Sequence, residues 1–269
     1  MIEDAGPVNG FDSSVPNVAR IYNYLLGGKD NYAADRKKAG EILEIEPDSA
    51  RVAWENRAFL GRVVRFLAGE MRVRQFLDIG AGLPSAGSVH EVAQSCAPES
   101  RVVYVDNDVT VLAHARALLD SAPEGQCGYV QSDLRDTESI IMQATETLDF
   151  NKPVAVLLIA ILHFVSDQED PWGIIVRLMG AVPPGSYLAV SHATPESFAD
   201  PAGQELLNKI YAETASGGVT PRPRAEIERF FAGLEMIDPG VVNISEWRPA
   251  QSGPATRTLF YGGVARKPS

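Results

Sequence analysis

Apolar residues recur at helical spacing over about the first 70 positions and then switch to short strand-like runs. Val18, Ile21, Tyr22 and Leu25 share one side of a helix. Pro16 opens that helix where a missing N–H does no harm, and Gly27-Gly28 ends it. Lys29-Asp30-Asn31 makes a capping turn into a second helix over 32–45. After Glu46-Pro47-Asp48 a third runs to about residue 68, with Val52, Phe59, Leu60, Val63, Phe66 and Leu67 on one face. Arg51, Glu55, Arg62 and Arg65 occupy the other, which is the stripe of a helix with one buried side.

From Arg74 the period changes. Strand-like runs at 75–79, 102–105, 129–130, 154–160 and 187–191 alternate with helical stretches at 89–95, 109–119, 139–147 and 173–181. Alternation of this kind predicts βαβ units and a mostly parallel sheet covered on both faces. Residues 197–234 read as helical again. Two last runs, 241–244 and 258–264, are joined without a helix signal and should pair antiparallel. The fold class expected is therefore α/β, a doubly wound, mostly parallel seven-stranded Rossmann-like sheet. It carries a C-terminal antiparallel hairpin and an N-terminal helical cap. The cap is assigned to 1–73 and the core to 74–269.

Composition narrows the classes. With 45% apolar and 22% charged residues the chain is an ordinary globular one. Its longest apolar run, at 154–162, is too short for the roughly 20 residues that span a bilayer. The N-terminus carries no secretory pattern, and Cys96 and Cys127 read as reduced thiols, so a cytoplasmic location is expected. Net charge is −11. Residues 76–200 hold 5 basic and 17 acidic side chains, a stretch that repels phosphate backbones and argues against nucleic acid as a partner.

Chemistry concentrates at the strand ends. In Phe76-Leu77-Asp78-Ile79-Gly80-Ala81-Gly82 an apolar strand ends in an acid, followed by two glycines that let a ligand approach the main chain. Asp106-Asn107-Asp108 ends the second strand, where a carboxylate can accept both hydroxyls of a ribose and repels a 2′-phosphate. Asp108 suits the N-cap of the next helix. Asp133-Leu134 ends the third strand, and the carboxylate can accept an adenine amine. Ala160, ending the fourth strand, is a cofactor-binding candidate, and past it His163 and Phe164 should line the substrate side, with His163 as a general base near neutral pH. His192 is a weaker candidate, and His90 and His114 read as structural.

An Asp-x-Gly-x-Gly strand end, a ribose acid, a third Asp and a terminal hairpin resemble the class I S-adenosylmethionine-dependent methyltransferases. Finer matches lie in 16–32, 78–84, Leu162-His163-Phe164-Val165, Gly233-Leu234, Pro239-Gly240-Val241-Val242 and Trp247-Arg248-Pro249. These are similar to the actinobacterial S-adenosyl methyltransferase family, formerly known as a domain of unknown function. Pro84 departs from the broad pattern, where a third glycine is common. The resemblance implies S-adenosylmethionine as cofactor. Asp78, Gly80 and Gly82 would lie around its methionine part, Asp106 at its ribose, and Asp133 and Leu134 at its adenine, with Ala81 and Asn107 as further cofactor-binding candidates.

The cap segment has its own reading. Tyr22, Tyr24, Lys29, Asn31 and Tyr32 surround a glycine hinge and are expected to form a lid, with tyrosine faces favouring a sulfonium by cation–π attraction. The reaction expected is in-line transfer of methyl to an oxygen or nitrogen of a small-molecule acceptor, governed by alignment and needing no metal. Two rivals stand beside it. An NAD-dependent oxidoreductase would want glycine where Ser85 stands. A non-catalytic cofactor sensor would carry the same binding residues.

Overall fold

A computed structural model describes residues 12–85, 87–118, 121–197, 201–249 and 259–269. Five strands, β1 (Gln75–Ile79), β2 (Arg101–Asp106), β3 (Gln126–Gln131), β4 (Ala155–Ile159) and β5 (Tyr187–Ala193), pair in parallel in the order β3-β2-β1-β4-β5. The order turns back between β1 and β4. Open α/β sheets bind ligands beyond the strand ends at such a point. Glu235–Met236 (β6) and Val242–Asn243 (β7) both pair antiparallel with Phe260–Arg266 (β8), which itself runs antiparallel to β5. β6 and β7 lie along the same edge of β8, separated by Asp238-Pro239-Gly240, so an interrupted strand fills the seventh position. Sequence patterning misses β6 because it is only two residues long and both are exposed. Thr258 lies outside the described residues.

Alternation along the strands sorts the core into two layers. Phe76, Val102, Tyr104, Ala155, Leu157 and Ala189 face one side, where α3 (Ser49–Arg65) contributes Phe59, Leu60, Val63 and Val64. Leu77, Ile79, Val103, Val156, Leu158 and Leu188 face the other, covered by α6 (Thr137–Ala144), α7 (Pro171–Ala181) and α9 (Arg224–Arg229). Every residue of β1 and β4 is buried, as a strand covered on both faces requires. The end of α3 widens over Phe66–Glu70, with Met71 N–H donating to Phe66 O at 3.1 Å.

The cap is built from both ends of the chain. Ile21 of α1 (Val18–Leu25) and Ala39 and Ile42 of α2 (Ala33–Ile45) bury against Leu207 and Ile210 of α8 (Pro201–Ala212). Continuous helix over 197–234 is not what forms. α8 and α9 are separated by an irregular stretch in which Gly217 and Gly218 take φ of +74° and +135°, and Pro221 and Pro223 cannot extend a helix.

Candidate active site

Residues from four strand ends, two cap helices, the α8 end and the start of β8 enclose one cavity of about 250 Å³. Asp78, Gly80, Ala81, Gly82, Asp106, Asn107, Asp133, Leu134, Ala160, Tyr22, His163 and Phe164 all line it. Tyr24, Lys29, Asn31 and Tyr32 do not. Helical phase explains the split. Val18, Ile21, Tyr22 and Leu25 face the cavity, whereas Tyr24, two residues on from Tyr22, points away and is exposed. Lys29 and Tyr32 are also exposed, and Asn31 serves the turn, its amide donating to Asn23 Oδ1 and Gly28 O. Gly28 admits that arrangement because a Cβ there would lie 2.3 Å from the Asn23 amide.

The loop after β1 folds across β2. Gly80 and Ala81 donate to Val105 O at 2.9 and 3.2 Å, and Gly82 N–H donates to Asp106 Oδ2 at 3.0 Å. Gly80 has φ +76°, and a Cβ on it would meet Ile161 at 2.7 Å, so backbone and neighbour both demand glycine. Asp106 Oδ1 accepts from Asp108 N–H at 3.0 Å. Two of its roughly four acceptor positions are thus used by the protein. Burial pushes its pKa up to about 6 against those bonds. Asp78 is 4% exposed and accepts no hydrogen bond from any described residue. Burial, opposed by the charge of Arg57 and reinforced by that of Asp106, pushes its pKa up to about 7. Asp133 is held differently. Burial raises its carboxyl, but backbone and side-chain bonds from Arg135 outweigh it and the pKa ends below the ordinary value.

On the far side, His163 is buried and its Nδ1 accepts from Ala193 N–H at 3.4 Å. Burial first, then the charges of His192 and Arg222, hold its pKa well below the usual imidazole range, so the ring is neutral. His192 does not line the cavity. Its Nδ1–H donates to Ala193 O and its Nε2 accepts from Arg222, which fixes it as a structural group. His90 bonds Ser88 and Tyr104 within the core, and His114 bonds Thr110 O. Asp108 Oδ1 accepts from Thr110 N–H at 2.8 Å, the N-cap of α5 (Val109–Leu118). Ala160 has φ +55°, a left-handed turn at the end of β4 that its N–H secures on Ser191 O and Oγ.

Asn17, Asn56, Arg57, Tyr211, Ser216 and Phe260 also line the cavity and escape sequence reasoning. Asn56 is the most connected of them. Its Oδ1 accepts from Ser191 Oγ at 2.6 Å and its Nδ2 donates to the Tyr22 hydroxyl at 3.1 Å. Tyr22 donates onward to Ala53 O.

The chain matches the model of a family described as S-adenosyl methyltransferase over residues 5–268. It belongs to that family. A DUF574 family protein from Streptomyces avermitilis is similar at 43% identity and a TM-score of 0.89, over 96% of this chain and 99% of that one. A candidate methyltransferase from Thermobifida fusca is similar at 40% identity and a TM-score of 0.88, over 98% and 100%. The plantazolicin methyltransferase crystallised with S-adenosylhomocysteine shares the fold alone, at 13% identity and a TM-score of 0.53, over 96% of this chain and 97% of that one. No curated protein sequence matches the chain.

The protein is thus a methyltransferase with S-adenosylmethionine as cofactor. The site suits that molecule. An unbonded buried carboxylate at Asp78 beside the Arg57 guanidinium matches an amino acid's ammonium and carboxylate. Asp106 keeps acceptor capacity for ribose hydroxyls, and the Gly82 backbone borders open space, with nothing within 4 Å of where a Cβ would stand. Among the described residues no helix is long and apolar enough to cross a membrane.

Proposed function

We propose that this methyltransferase modifies an oxygen or nitrogen of a small-molecule acceptor held under the cap. The observation that carries the reading is the cavity under the cap, in which acidic strand tips share the lining with rings and apolar side chains from α1, α8 and β8. Asp78 and Arg57 would hold the amino-acid end of the cofactor, Asp106 and Asn107 its ribose, and Asp133 and Leu134 its adenine. Tyr22 presents its ring from the cap. S-adenosylmethionine supplies an already activated methyl group, so the residues' work is alignment and exclusion of water, and effective molarity provides most of the rate gain. Of the described residues lining the cavity, His163 alone carries an imidazole, which would face the acceptor. The acidic stretch 76–200 disfavours a nucleic-acid substrate.

Isotope-labelled methyl transfer into a metabolite extract tests this reading. Label should appear in low-molecular-weight product. Label confined to protein or nucleic acid would overturn it.

A further inference from the structure

The upper edge of the sheet divides by chemistry. The tips of β3, β2 and β1 carry Asp133, Asp106 and Asp78. The β4–β5–β8 half carries rings instead. His163 lies 4.4 Å from Phe164 and 5.5 Å from Phe260 between centroids, and Phe164 lies 6.0 Å from Tyr211 on α8. All four line the cavity. Burial pushes the Tyr211 hydroxyl up to about 12, so it is neutral. Among the described residues no carboxylate belongs to this half of the lining.

A positive charge stands behind the rings. Arg222 is buried, donates to Leu162 O and Val165 O at 3.2 and 2.8 Å, and bonds His192 Nε2 at 3.0 Å. Its partner Asp167, at 2.6 Å, is 56% exposed and so lies on the solvent side. His192 packs edge-on against His163 at 5.5 Å. A cation placed at His163 meets this field unfavourably, and an anion favourably.

The hydrogen bond from Ala193 sets the tautomer. An N–H aimed at Nδ1 makes that nitrogen the acceptor, so the proton of the neutral ring sits on Nε2. Nε2 has no partner among the described residues. To act as a base, His163 would have to surrender the Ala193 bond and carry charge beside Arg222. To act as a donor it need change nothing.

We infer that the acceptor is a planar aromatic molecule with an ionised ring hydroxyl, and that His163 Nε2–H donates a hydrogen bond to that oxygen. This rests on the methyltransferase reading above. The hydroxyl proton leaves to water before transfer. An oxygen lone pair then forms the bond to the methyl carbon while the carbon–sulfur pair stays with sulfur, giving an ether and a neutral thioether. Opposite charges cancel in the step, which surroundings of low polarity, such as these rings, favour. A protonated amine lacks a carboxylate in this half, and a carboxylate acceptor would want a bidentate cation that the rings do not offer.

Two measurements on the full chain with S-adenosylhomocysteine bound test this. Long-range proton–nitrogen NMR, assigned with H163Q, should show His163 neutral with its proton on Nε2 near neutral pH. A proton on Nδ1, or an imidazolium, overturns the inference. The second uses 4-nitrophenol, whose visible spectrum reports its ionisation, against nitrobenzene and 4-nitrobenzylamine. Binding should lower the probe's pKa by about one unit, and His163→Phe should weaken the ionised probe about tenfold, the low end for a charge-assisted hydrogen bond. H163F should leave nitrobenzene unchanged, and His163→Gln, which keeps a donor, should recover part of the loss. Equal affinity for nitrophenol and nitrobenzene, or preference for the amine, overturns the acceptor class while calorimetric binding of S-adenosylhomocysteine stays intact. Absence of that binding in the unaltered protein sinks the methyltransferase reading itself.

Discussion

Arg20 Nη1 on the cap helix donates to Asp108 Oδ2 at the end of β2 at 3.1 Å, while its Nε donates to Asp35 at 2.9 Å. The three side chains are 4%, 7% and 0% exposed, so the cap is fastened to the sheet by a desolvated charge cluster. Asp35 also accepts from Asn17 N–H and Tyr32 N–H, which joins the starts of α1 and α2 to the same point.

Arg20→Met should therefore be strongly destabilising. It leaves two buried carboxylates without their cation, a change that costs about 3–5 kcal/mol. Urea unfolding measures it. A loss below about 1 kcal/mol, the range of a surface pair, would mean that the cluster does not hold the cap.

Cofactor affinity should depend on pH through Asp78. Its pKa of about 7 and that of Asp106, about 6, lie above the roughly 3.9 of an unfolded aspartate. Between those limits the native state binds more protons than the unfolded chain, so ligand-free stability falls as pH rises through the window. An ammonium ligand reverses the preference because it favours the ionised carboxylate. Calorimetry should show S-adenosylhomocysteine binding tighten from about pH 5 to about pH 8. Asp78→Asn should bind weakly and flatten that slope. A slope unaltered in D78N would assign the titration elsewhere.

Gly80→Ala and Gly82→Ala separate strain from collision. Both positions have positive φ, which costs a non-glycine residue about 1–2 kcal/mol. A Cβ at Gly82 meets nothing within 4 Å, whereas one at Gly80 strikes Ile161 at 2.7 Å. G80A should lose more stability and more cofactor affinity than G82A. Equal losses in denaturation and binding would place the cost in backbone conformation alone.

Asn56→Ala should cost about 1–3 kcal/mol, because it leaves the buried Ser191 hydroxyl proton without its acceptor and removes a donor to Tyr22. Ser191→Ala should cost less, since Asn56 Oδ1 loses its donor but Asn56 keeps its bond to Tyr22 and Ala160 N–H keeps the carbonyl of residue 191. Chemical denaturation of the two variants checks the order.

Local pattern made the cofactor half of the cavity readable. Asp78, Asp106 and Asp133 each follow an apolar strand, so chain order alone places them on one rim. The acceptor half has no such rule. Tyr211, Phe260 and Asn56 reach the cavity from segments whose periodicity predicts only a helix or a strand, and their meeting is decided by long-range packing. Composition near a glycine hinge says nothing about direction: the helical angle from Tyr22 turns Tyr24 away from the cavity, and Tyr32 stands at the N-cap of α2. No local pattern marks Arg20 or Arg222 as buried, since their acceptors Asp108 and Asp167 lie 88 and 55 residues away.

The cap's apolar cluster draws Ile21 from a segment before the parallel strands and Leu207 from one after them, so the pocket roof is held by packing rather than by chain neighbours. Substitutions in α1, α8 or the first residues of β8 can thus reshape the acceptor compartment while the strand-tip loops stay as they are. Relatives differing in these three segments should share one methyl donor and diverge in the molecules they decorate.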